Sequence, residues 1–272
     1  MATVRPAAVA GAFYPADPGA LRDVVREHLA QGRASFAPRD PWPKALIVPH
    51  AGYMYSGPVA ARAFVELEGA RDLVSQVVLL GPSHHVHFDG LALPSNTAFE
   101  TPLGSVAIDE TARRQALRLP FVTINDAAHH WEHSLEVQLP FLQEVIGEFS
   151  ILPVAVGRSS AEEVRQLLGS LWGGDETVLV ISSDLSHHRD YETARRMDAV
   201  TAKAVEAMSP NRIEREGACG RVGMQGLLEA AREHRLTPRT LDLRNSGDTA
   251  GGRDEVVGYG AWELTVSRNG SP

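Results

Sequence analysis

Hydrophobic positions along the chain follow two periodicities. Ala45 to Pro49 and Val77 to Gly81 are short, nearly continuous apolar runs bounded by glycine and proline, the pattern of strands buried on both faces of a sheet. Ile151 to Gly157 and Val178 to Ser182 repeat that pattern. Within each pair the spacing changes to that of a helix. Pro58 to Glu68 carries no breaker beyond its first residue, and Ser160-Ala-Glu-Glu163 reads as a capping box opening a helix through Leu171. Strand, helix, strand, twice over, predicts two parallel βαβ units. Upstream, Asp17-Pro18 followed by Leu21, Val24, Val25 and Leu29 reads as an N-cap, a proline at N1 and an apolar stripe, with Gly32 as the stop. Downstream, helical stretches at Glu192 to Met208 and Met224 to His234 precede a closing strand, Val256 to Val266. Pro38 to Pro43 and Gly247 to Asp254 read as surface loops. No repeat or linker divides the chain. The expectation is one α/β domain over residues 1–272, a three-layer sandwich around a mixed, mostly parallel sheet.

Composition narrows the partners. Of 272 residues 43% are apolar, enough for a sizeable core, and 34 acidic against 26 basic residues leave a net charge of −8. With no Lys/Arg stripe to offset that charge, nucleic acid and anionic membrane are excluded as expected partners. The apolar runs fall far short of the roughly 20 residues that span a bilayer. Met1 to Gly11, interrupted by Arg5 and Pro6, lacks the features of a secretory signal, which points to the cytoplasm. The single cysteine, Cys219, rules out an internal disulfide. Metal chemistry is therefore expected from histidine and carboxylates.

The 11 histidines are informative through their placement. His50 follows the first strand in Pro-His-Ala-Gly-Tyr, His84 and His85 follow the second in Gly-Pro-Ser-His-His, and His187 follows the fourth in Ser-Ser-Asp-Leu-Ser-His-His. In open α/β sheets the crevice outside the carboxyl ends of the strands is where ligands bind, so three strand ends would deliver imidazoles to one place. Imidazole is neutral near physiological pH, ligates borderline metals and shuttles protons. His133 and Glu136, three apart, share a helical face and could hold a metal or a substrate hydroxyl; equally, Glu136 satisfies only a helix terminus or a buried neighbour. Pro140 should break that helix after Glu136. Asp184, three before His187, either orients that imidazole, binds metal itself or caps a helix. Asp248 and Thr249 offer oxygen ligands that would complete a His/His/carboxylate set, and equally suit an ordinary turn. Cys219 reads as a packed small residue in preference to a nucleophile, since no base partner is evident.

Taken together, Gly11-Ala-Phe-Tyr-Pro15, Val48-Pro-His-Ala-Gly-Tyr53, Leu80-Gly-Pro-Ser-His-His85, Glu132-His-Ser-Leu-Glu136, Ser182-Ser-Asp-Leu-Ser-His187, Cys219-Gly-Arg221 and Gly258-Tyr-Gly-Ala261 resemble the Memo family across nearly the whole chain. The resemblance implies the fold of class III extradiol dioxygenases, with a pocket equivalent to their non-haem iron site. By motif, His50 and His84 match the pocket's metal histidines, His187 matches the acid/base position of ring-cleaving enzymes, and Asp184 matches the aspartate beside it. Animal members place a cysteine where Thr249 stands here, a departure at the third ligand. The implied metal is Fe(II), with copper or zinc as alternatives. From the residue reading and the resemblance together, the candidate metal ligands are His50, His84, His187, Asp248 and Thr249, and the candidate catalytic positions are His187, Asp184, His133 and Glu136. Two functions follow as expectations: a dioxygenase-like oxidoreductase acting on a small molecule, or a non-catalytic module that binds metal or peptide. Prokaryotic relatives imply a radical-SAM protein and a third component as partners, the AmmeMemoRadiSam grouping.

Overall fold

A computed structural model describes residues 3–35 and 42–266. The expected loop at Pro38 to Pro43 lies mostly outside the described residues. Among the described residues, twelve strands make one sheet. At its centre five run parallel: β6 (Gly104–Ile108), β8 (Ser150–Val156), β3 (Gln76–Pro82), β9 (Thr177–Ser182) and β2 (Ala45–Val48). At one flank β1 (Val4–Arg5) and β5 (Ala98–Thr101) extend the sheet, and β4 (Leu91–Leu93) pairs with β8 and with β7 (Val122–Ile124). At the other, β12 (Val256–Val266) runs antiparallel to β2 and carries β10 (His187–Arg189) and β11 (Leu236–Asn245).

The central strands are buried because their alternate residues feed two different cores. Leu46, Val48, Val77, Leu79, Val178 and Val180 face a layer built on α1 (Pro18–Ser35), α2 (Tyr53–Phe64) and α6 (Leu139–Val145). Ala45, Ile47, Val78, Leu80, Leu179 and Ile181 face the opposite layer of α3 (Glu110–Ala116), α7 (Ala161–Ser170), α8 (Tyr191–Glu206) and α9 (Arg221–Glu233). This is the expected sandwich in a single domain. The two βαβ units are present but interleaved: the order β8-β3-β9-β2 puts β9 between β2 and β3, and β3 between β8 and β9. That interleaving makes β3, β9 and β2 adjacent and parallel, so their carboxyl ends open side by side.

Several boundaries differ from the sequence reading, each for a local reason. Helix α1 runs past Gly32 to Ser35, because Gly32 serves close packing instead of termination: a Cβ there would lie 3.2 Å from the Ala61 carbonyl oxygen. Helix α2 starts at Tyr53, earlier than expected, and gives way after Phe64 to a tight 3₁₀ turn, Val65–Ala70. The capping box at Ser160 and Glu163 forms as expected. Pro140 splits its helix as expected into α5 (His133–Glu136) and α6. Strand β11 is not predicted; Pro238 and its charged neighbours break the apolar pattern, which an edge strand paired, among the described residues, with β12 alone tolerates. Part of the expected loop at Gly247 is a single helical turn, α10 (Ser246–Thr249), capped by Asn245.

Candidate metal centre

Three side chains meet beyond the carboxyl ends of β2 and β3. His50 leaves β2, His84 leaves β3, and His133 opens α5; one nitrogen from each lies within 4.8 Å of the other two. The His84 and His133 rings stack at 4.6 Å between centroids, and His50 stands edge-on to both at 5.2 and 5.4 Å. Helix α5 reaches this position by packing directly on β3, where the Ser134 hydroxyl donates to the Pro82 carbonyl. Gly81 permits that approach: a Cβ there would stand 2.6 Å from Ser134 Oγ.

The hydrogen-bond network fixes which nitrogen each ring offers. Ser182 Oγ donates its one proton to the Ser134 carbonyl at 2.6 Å and accepts from Gln138 Nε2 at 2.9 Å, so His50 Nδ1, 2.8 Å away, must donate to it. His50 Nε2 keeps its lone pair. Glu132 does the same for His84: one oxygen accepts the His84 backbone N–H at 2.6 Å, and the other accepts His84 Nδ1 at 2.9 Å and the Ser134 amide at 2.8 Å. The same oxygen lies 3.5 Å from His133 Nδ1. A carboxylate that orients histidines from behind is a recurring support of metal sites, because it sets the tautomer and raises ligand basicity.

Electrostatics keep His50 and His133 neutral. Burial, with the neighbouring His84 and His133, holds His50 well below its ordinary pKa. Burial likewise lowers His133 to about 4. Glu132 is held well below the carboxylate range, because its hydrogen bonds and charge interaction with His84 outweigh the cost of burial. The centre thus gathers three imidazoles backed by one ionised carboxylate, a donor set suited to a borderline divalent metal. Packing adds rigidity: Phe13 lies 4.6 Å from the His133 ring.

The expected site residues separate into those the fold assembles and those it employs elsewhere. His50 and His84 stand in the cluster as expected. His133, read as a catalytic position or a metal holder, adds the third nitrogen of the group, and neither Asp248 nor Thr249 is part of it. Asp248 accepts from the Tyr191 hydroxyl and the Asn245 amide, and the Thr249 hydroxyl donates to the Ser246 carbonyl, so both are engaged in the α10 turn. His187 lies outside the cluster, its Nδ1 bonded to the Leu185 carbonyl at 2.8 Å, yet near enough for its charge to act on His50. Asp184 braces the His50 turn, accepting the His50 backbone N–H at 2.7 Å, rather than the His187 ring; burial raises its pKa to about 7. Glu136 satisfies buried neighbours, one of the two readings of this residue, and accepts from Arg5, Tyr14 and the amides of Ala8 and Val9. It ties the N-terminal segment to α5.

Sequence reasoning missed Glu132, Ser182, Gln138 and the placement of Cys219. Glu132 sits in the same Glu-His-Ser motif as His133 but occupies the N-cap of α5, outside the periodicity that drew attention to Glu136. Cys219 Sγ lies 3.3 Å from His50 Nε2 across 169 residues of sequence, and burial pushes the thiol pKa up to about 12.

A family model described as Memo-like protein matches residues 5–263. A MEMO1 family protein of Aquifex aeolicus (strain VF5) is 37% identical over 268 residues, covering 94% of this chain and 97% of the relative. Its counterpart in Thermotoga maritima is 36% identical over 277 residues, with the same coverage of 94% and 97%. That of Sulfolobus acidocaldarius is 34% identical over 281 residues, again covering 94% and 97%. Among solved structures, the uncharacterized protein JW3007 from Escherichia coli K12 is similar in fold, with a TM-score of 0.52 at 13% identity over 79% of this chain and 98% of that one.

Proposed function

The chain belongs to the Memo-like family, and on that premise we propose that it holds a divalent transition metal on His50, His84 and His133 and uses it as a non-haem, dioxygenase-like oxidoreductase on a small molecule. The observation that carries the reading is the network that leaves His50 Nε2 and His84 Nε2 as lone-pair donors directed by Ser182 and Glu132. When bound, Fe(II), the favoured metal, would supply open coordination positions for substrate and oxygen; copper and zinc suit the same nitrogens. The chain's own part is to bind, orient and move protons. His187 donates Nδ1–H to Leu185, which frees Nε2 as a base. Burial lowers its pKa, so at neutral pH it is ready to take a proton from a substrate hydroxyl.

One observation favours a second reading. The assembled set is three imidazoles, not two imidazoles and a carboxylate, and such a set also suits zinc or a bound metal that does no oxygen chemistry. In that reading the chain is a cytoplasmic metal- or peptide-binding module working with a radical-SAM protein and a third component. Among the described residues no helix is long and apolar enough to cross a membrane. Oxygen uptake by Fe(II)-loaded protein, screened against simple catechols under matched anaerobic loading, separates the readings. Uptake that His187→Ala abolishes without loss of metal supports the oxidoreductase; metal binding with no oxygen uptake on any of them overturns it in favour of the module.

A further inference from the structure

The three imidazoles leave at least one coordination position of a tetrahedral ion unfilled, and a thiol lies against one of them. Cys219 Sγ is 3.3 Å from His50 Nε2, the nitrogen that the Ser182 network leaves deprotonated. His50 is 1% exposed, so its lone pair faces the thiol, not solvent. Metal–nitrogen and metal–sulfur bonds of about 2.0 and 2.3 Å put two ligand atoms of one tetrahedral ion roughly 3.5 Å apart, close to the separation seen here. The approach is built into the backbone. Cys219 precedes Gly220, where a Cβ would stand 2.6 Å from Ser183 Cβ and 2.7 Å from the Ser182 carbonyl oxygen, so only glycine lets the start of α9 press against the end of β9.

We infer that Cys219 is a metal ligand, joining His50, His84 and His133 to form a nitrogen-and-sulfur centre that takes zinc, cobalt, copper(I) or iron(II) in preference to magnesium or calcium. This rests on the metal-centre reading above. Cys219 stands outside the 4.8 Å group of the imidazoles, so joining them takes a rotation about its Cα–Cβ bond. The side chain is not packed on every side: it borders two cavities, of about 60 and 640 Å³, that share Pro82, Val156 and Gly157 and are lined by none of the three imidazoles. Without metal, the thiol is the hydrogen-bond partner of the His50 Nε2 lone pair. On ligation the S–H bond breaks, its proton passes to solvent and a metal–sulfur bond forms, with no change in oxidation state.

Cobalt(II) tests this directly, because thiolate ligation gives a near-ultraviolet sulfur-to-cobalt charge-transfer band that imidazoles do not, and Cys219 is the only cysteine in the chain. The full chain, reduced and handled anaerobically, is titrated with cobalt(II) alone, next to Cys219→Ser and Cys219→Ala, each checked for fold by circular dichroism. The expected result is one equivalent of cobalt with visible d–d bands in all three proteins, and the charge-transfer band in the wild type only. Cobalt binding with d–d bands but without that band in the wild type overturns the inference and leaves the three-histidine centre standing. Failure of the wild type to bind cobalt overturns both.

Discussion

Two glutamates four residues apart should separate metal affinity from stability. Glu132 is 1% exposed and accepts three hydrogen bonds of 2.6, 2.8 and 2.9 Å, two of them from His84. In Glu132→Gln one acceptor oxygen becomes an NH₂ group facing N–H donors, leaving at least one buried donor unmet. If that group faces His84, Nδ1 must become the acceptor and the ring proton moves to Nε2, removing the lone pair a metal needs. Loss of such a supporting partner costs roughly 10- to 100-fold in metal affinity, which is about 1.4–2.7 kcal/mol. Glu136 is as deeply buried but holds Arg5 at 2.5 Å and the Ala8 and Val9 amides at 2.8 and 3.0 Å. Glu136→Gln leaves the buried Arg5 charge unpaired, which costs about 3–5 kcal/mol of folding stability, toward the lower end because Arg5 also donates to the His129 and Glu132 carbonyls. Zinc affinity by competition with a chromophoric chelator, and urea unfolding of the metal-free proteins, read the two effects. Glu132→Gln is expected to lose affinity, while Glu136→Gln keeps affinity within about threefold and loses stability. Wild-type zinc affinity in Glu132→Gln, or equal loss of affinity in both variants, would refute the assignment of Glu132.

Three further outcomes follow from the same geometry. His187→Ala should retain metal, because His187 stands outside the cluster with its Nδ1 on Leu185; loss of the metal would move it into the ligand set. In metal-free protein the His133 ring should stay neutral on acidification well below pH 6.5, since burial lowers its pKa to about 4; a ring NMR titration of His133 centred near 6.5 would contradict that burial. Asp198 is buried under the Ser186 backbone N–H with its pKa raised to about 6, so its contribution to stability is present below the unfolded value of 3.8 and lost as pH rises through about 6. Asp198→Asn, whose carbonyl can still accept from Ser186, should therefore gain about 1–3 kcal/mol over wild type at pH 8 and little at pH 4, measured by urea unfolding; a loss at pH 8 would contradict it.

The parallel core was legible because β2, β3, β8 and β9 feed apolar residues to both faces, which leaves uninterrupted hydrophobic runs. The short flanking strands β4, β7 and β10, and the edge strand β11, carry no such run and were invisible. His50 and His84 could be placed from sequence because each directly follows a buried strand in a parallel sheet. The rest of the centre depends on how non-adjacent pieces dock. Asp248 and Thr249 offered oxygen ligands by composition and by motif, and in the fold they hydrogen-bond within and beside the α10 turn, outside the group of three imidazoles. Periodicity favoured Glu136 because it assumes a helix already under way at His133; the residue that matters, Glu132, is the cap just outside it. The contact between Cys219 and His50 arises where α9 begins beneath the end of β9, and spacing along the chain carries no trace of it.

The most direct test is the metal content of protein purified anaerobically without chelator, set beside a His50→Ala/His84→Ala/His133→Ala variant shown by circular dichroism to be folded. Near-stoichiometric transition metal in the wild type and none in the variant is the predicted result. Wild-type protein that carries no metal and takes up none on addition of Fe(II), Cu(I) or Zn(II), or a variant that retains it in full, would contradict the three-histidine centre.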